Sequence, residues 1–64
     1  MDKKTILHNL NHMREINFMG WERMRDFVKE RPSELWRRDF RDTYEMEVRT
    51  LDYVMEAIRR NDFV

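Results

Sequence analysis

The lone proline of this 64-residue chain, Pro32, stands at its midpoint, and that placement constrains the fold more than any other feature. The residue before a proline is pushed out of the helical region, so a helix arriving from the N-terminal side ends around Arg31. A second helix begins at once, opened either by the Ser33 hydroxyl as a cap or by Pro32 in its first turn. A connection this short implies antiparallel neighbours.

The spacing of apolar residues supports a helix on each side. Trp36, Phe40, Tyr44, Val48, Leu51, Met55 and Ile58 recur at steps of three and four, which places them on one stripe of a helix running from about 33 to 61. Five pairs at i,i+4 flank the stripe: Glu34 with Arg38, Arg38 with Asp42, Arg41 with Glu45, Glu45 with Arg49, and Glu56 with Arg60. Each contributes a few tenths of a kcal/mol and mainly solubilises the helix.

The first helix, about 3–30, carries Ile6, Leu10, Met13, Ile16, Met24, Phe27 and Val28 at the same spacing, interrupted by Asn17 and Gly20. Gly costs about 1 kcal/mol relative to Ala inside a helix, so the alternative is a break near Gly20 and a three-helix bundle. Register favours the unbroken form. Reversal at Pro32 sets Val28 against Trp36, Met24 against Phe40, Ile16 against Val48, Met13 against Leu51, Leu10 against Met55 and Ile6 against Ile58. It also sets Gly20, which lacks a side chain, against the large ring of Tyr44. The expected fold is all-α, an antiparallel two-helix hairpin forming a single domain over residues 1–64. Met13, Met24 and Met55 are expected in its core.

A hairpin only two helices thick cannot cover the flanks of its own seam. Small domains usually recover that deficit through disulfides, metals or self-association, and the chain has no cysteine. Further apolar residues fall beside the seam: Leu7, Phe18 and Trp21 on the first helix, and Leu35, Met46 and Tyr53 on the back of the second. Exposed apolar surface of this kind marks a partner-binding site. The expected partners are a second copy, giving a dimeric four-helix bundle, another protein, or both. Met19 and Met46, adaptable thioether side chains, are candidates for such contacts.

Thirteen Lys and Arg balance thirteen Asp and Glu, so no global positive field favours nucleic acid. A local alternative remains at the hairpin tip, where Arg25, Lys29, Arg31, Arg37, Arg38 and Arg41 surround Trp36, suited to phosphates and a stacked base. Asp26, Glu30, Glu34 and Asp39 are interleaved with them, which makes this the less favoured reading.

His8 and His12 share a helix face at a spacing that chelates metals. However, Asn9 stands where a zinc protease needs Glu, and Thr5 and Asn9 stand where di-iron bundles need it. They are read as solvent-facing, with no metal or other cofactor expected. The acidic stretch from Asp39 to Glu56 faces Lys3, Lys4, His8, His12 and Arg14 in this register, which aligns the helices. A pair of carboxylates there would need a desolvated pocket, so neither enzymatic activity nor a small-molecule substrate is expected. No segment approaches the roughly 20 apolar residues of a membrane span, and the run from Ile6 to Asn11 is not a signal core. The expected setting is the cytoplasm.

Overall fold

Asp2 opens the first helix. Its carboxylate accepts the Thr5 N–H at 2.8 Å and its backbone is extended (φ −83°, ψ 166°), which satisfies one of the amides that a helix N-terminus leaves without an internal partner. From there α1 runs unbroken over Lys3–Glu30, in a computed structural model that describes residues 2–61. It ends where Pro32 requires. Arg31 leaves the helical region (φ −139°, ψ 76°) while its N–H still donates to the Phe27 carbonyl.

The reversal is a tight turn. Glu34 N–H donates to the Arg31 carbonyl at 3.1 Å, with Pro32 and Ser33 at the two central positions. Proline suits the first of these because its ring fixes φ near the value that turn requires. The second helix, α2, spans Leu35–Asn61, so it starts two residues later than expected. Glu34, not Ser33 or Pro32, precedes it: the Glu34 carbonyl accepts Arg37 N–H at 3.1 Å, and its carboxylate accepts the Arg37 Nε–H.

The helices pack antiparallel in the anticipated register, without a break at Gly20. Arg37 meets Phe27 near the tip, Gly20 meets Tyr44 midway, and Arg14 meets Asp52 further along. The plate measures 45 × 15 × 12 Å, one helix thick and two wide.

Both ends of the plate are closed in the same way. Lys3, the first residue of α1, donates from Nζ to the Arg59 carbonyl in the last turn of α2 at 3.4 Å. Arg37, in the first turn of α2, donates from Nη1 to the Phe27 carbonyl in the last turn of α1 at 3.1 Å. A cation from each helix start thus meets the negative end of the other helix's dipole.

The core lies mostly on the α2 side. Among the described residues, Met24, Leu51, Met55 and Ile58 are the buried apolar ones. On α1 the row turned toward α2 is Leu7, Leu10, Arg14, Asn17, Trp21, Met24 and Val28, none of which is exposed. Asn17 fits there by donating its side-chain amide to the Met13 carbonyl at 2.9 Å, and Arg14 by pairing with Asp52.

The expected rungs are therefore right in level but too generous in depth. Met13, Ile16, Trp36 and Phe40, assigned to the core from their spacing, remain about half exposed, whereas Met24 and Met55 are buried as expected. Two cylinders in contact cover one narrow row on each, and these four residues belong to a second row beside it.

The i,i+4 pairs form in part. Glu45 with Arg49 and Glu56 with Arg60 are joined, while Arg41 turns to Asp42. Glu34 pairs with Arg31 and Arg37, because it stands before the helix and off its ladder.

Candidate functional site

The seam divides the plate into two broad faces, and each has its own chemistry. The first carries Phe18 and Trp21, whose rings stack at 5.7 Å with 27° between planes. Arg14 stands 5.7 Å from the Phe18 centroid and Arg25 5.3 Å from that of Trp21. A shallow cleft beside the rings is completed by Glu45, Val48 and Arg49 of α2. Both rings are thus held between cations that are themselves paired, Arg14 with Asp52 and Arg25 with Asp26.

The second face is apolar and sparsely charged. A groove between the helices has Met24, Gly20 and Tyr44 as its more buried members and Phe27, Trp36 and Phe40 as its exposed ones, with Arg23 beside them. Trp36 and Phe40 meet edge to face at 6.0 Å. The Arg37 guanidinium lies 5.4 Å from the Phe27 ring and 5.1 Å from that of Trp36, so it braces both.

Down α1 the same row continues through Ile16 to Met13. Ile16 is 55 % exposed, Trp36 53 % and Phe40 52 %. Their clustering on one side makes a continuous uncovered apolar surface.

The residues singled out from the sequence are distributed unevenly. Phe18 and Trp21 form the stacked pair, whereas Leu7 sits partly inside the seam, eleven residues away along α1. Leu35, Met46 and Tyr53 are exposed on the back of α2, but gaps of about 16 and 10 Å along the helix separate them. Met46 borders a hollow with Asp39, Asp42, Thr43 and Glu47. Met19 is exposed, and Met1 lies outside the described residues.

The tip cations are largely engaged. Arg37 is bound to Glu30, Glu34 and the Phe27 carbonyl with only 16 % of its side chain exposed. Arg25, Arg31 and Arg41 are paired with Asp26, Glu34 and Asp42. Lys29 and Arg38 are exposed, Lys29 in the last turn of α1.

His8 and His12 are exposed as well. Among the described residues no three His, Cys, Asp or Glu side chains gather where one metal ion would sit, and no helix is long and apolar enough to cross a membrane.

The groove face was not apparent from spacing alone because its members were counted as core. The signal was nevertheless there. Met13, Ile16, Gly20, Arg23 and Phe27 form a three-four row parallel to Leu10, Arg14, Asn17, Trp21, Met24 and Val28, and one partner helix covers only one such row. Comparison with protein-family descriptions, with characterised proteins and with solved structures finds no match to this chain.

Proposed function

We propose that this chain is a small, non-enzymatic protein-interaction module of the cytoplasm, an adaptor or regulator that acts as a rigid helical hairpin. It binds a second copy of itself, another protein, or both. One observation carries the reading: Met13, Ile16, Phe27, Trp36 and Phe40 are left uncovered together on one side of the hairpin, whereas the exposed apolar residues on the back of α2 are spaced apart. A face of this kind is disfavoured in water unless something covers it.

The nucleic-acid alternative has weaker support. Four of the six tip cations are paired with carboxylates, which leaves little charge with which to displace counterions from a phosphate backbone.

The test is retention of protein by the immobilised chain, compared between wild type and Phe40→Glu. The expected result is a stoichiometric partner, which is either the chain itself or a different protein, held by wild type and lost by the variant. If both chains retain the same proteins, or neither retains any, the interaction reading fails.

A further inference from the structure

We infer that the occupant of the groove face is a second copy of this chain, docked face to face with the tip of each hairpin over the stalk of the other. The inference rests on the interaction-module reading and names its partner.

The uncovered area matches one subunit of a dimer. The chain exposes 5147 Å², against about 4,500 Å² expected for a compact monomer of its mass. At about 200 Å² for a fully exposed large side chain, the five exposed residues of the groove face leave on the order of 500 Å² of apolar surface. A standard interface takes about 800 Å² from each partner, and in homodimers about 65 % of it is apolar, again about 500 Å². The face therefore offers what one subunit of a stable dimer needs.

The face is also self-complementary. Gly20 and Tyr44 mark one level of the hairpin. Phe27 lies seven residues from Gly20 toward the tip, and Met13 lies seven residues from it toward the stalk. Phe40 and Ile16 lie four residues to either side of the same level. Turning a second copy end over end about this level brings the aromatic patch of Phe27, Trp36 and Phe40 level with the other copy's aliphatic patch of Met13 and Ile16, twice, with Phe27 over Met13, as a two-fold interface requires.

Charge selects the same orientation. Arg23 stands three residues to the tip side of Gly20, and Glu47 three residues to the stalk side of Tyr44. Among the described residues neither has an ion pair within its own chain. Tip-over-stalk docking brings Arg23 of one copy level with Glu47 of the other. Tip-over-tip docking brings each level with its own like charge, which is unfavourable.

The experiment is sedimentation equilibrium of the full chain over a wide concentration range, together with Trp36 emission in a Trp21→Phe chain. A dimer is expected. Phe40→Glu or Ile16→Glu should raise its dissociation constant thirty-fold or more, as truncation of a central contact does, while Tyr53→Glu on the back of α2 should leave it unchanged. Trp36 emission should shift to the blue as concentration rises.

The emission reading decides the matter even where a glutamate variant loses its helices, because it needs no change on the groove face. A chain that stays monomeric with Trp36 in water at every concentration overturns the inference, as does a dimer broken by Tyr53→Glu and indifferent to Phe40→Glu. Such a monomer that still holds a different protein through Phe40 overturns the second copy alone. One that holds nothing overturns the interaction reading with it.

Discussion

Tyr44 lays its ring against the backbone of Gly20, so closely that a methyl group at position 20 would fall 2.6 Å from the Tyr44 Cε1 and 2.7 Å from its Cζ. Gly20→Ala therefore sets two effects against each other. Alanine gains about 1 kcal/mol of helix propensity, while forcing the ring aside costs about 1–3 kcal/mol. Net destabilisation of about 1 kcal/mol is expected in urea. In a Tyr44→Ala background the same substitution should stabilise by about 1 kcal/mol. An unchanged sign between the two backgrounds would show that the ring does not restrict position 20.

Methionines at similar helical spacing should differ sharply. Met55 is 2 % exposed, whereas Met13 is about half exposed. Met55→Ala is expected to cost about 2–3 kcal/mol, within the range for emptied core sites, and Met13→Ala less than about 1 kcal/mol in dilute solution. Because Met13 belongs to the groove face, its effect should grow with protein concentration. Equal, concentration-independent losses at the two positions would contradict the burial pattern.

Arg37 joins the two helices at the tip through Glu30, Glu34 and the Phe27 carbonyl, between two aromatic rings. Replacing it with Ala should cost about 1–2 kcal/mol. Lys should recover little of that, since its single ammonium cannot reproduce the fork. Arg38→Ala should lie within about 0.5 kcal/mol of wild type. Thermal melts of the three variants distinguish a tip built on Arg37 from one in which its neighbours are interchangeable.

Asp2 gives the first helix a dependence on acid. The Thr5 N–H bond, followed by the Thr5 hydroxyl, holds its carboxyl below the usual aspartate value. A group whose folded value is lowered contributes fully above its unfolded value and loses that contribution as pH falls through the folded one. The Thr5 amide resonance should therefore shift in step with Asp2 protonation, at a pH below the ordinary aspartate range. Asp2→Asn should retain the cap and abolish that step. A Thr5 resonance that titrates identically in both proteins would show that the cap is not the carboxylate.

How far the sequence reveals this molecule depends on which residues are asked. Pro32 and the Gly20–Tyr44 match were enough to locate the reversal and the register, because a proline's effect on its predecessor and a ring's need for space are local and steric. Spacing could not separate Met24 from Phe27, or Leu51 from Phe40, since all of them recur at three or four residues. What separates them is the finite width of the contact between two helices, together with the rotation of α1 that turns Trp21 inward and Ile16 outward. The start of α2 was displaced by two residues for a similar reason. Ser33 is the better cap of the two, but the Arg31–Glu34 hydrogen bond takes it into the turn, so the helix starts only after Glu34.

The crosswise contacts of Lys3 with Arg59 and of Arg37 with Phe27 bear on connectivity. At both ends a helix start is fastened to the other helix's last turn, so the Pro32–Ser33 peptide bond holds the two segments near each other without supplying the contacts that align them. A chain nicked at that bond keeps every cross-helix partner described above. The two fragments should still find one another in the same register, at a rate that now depends on their concentration.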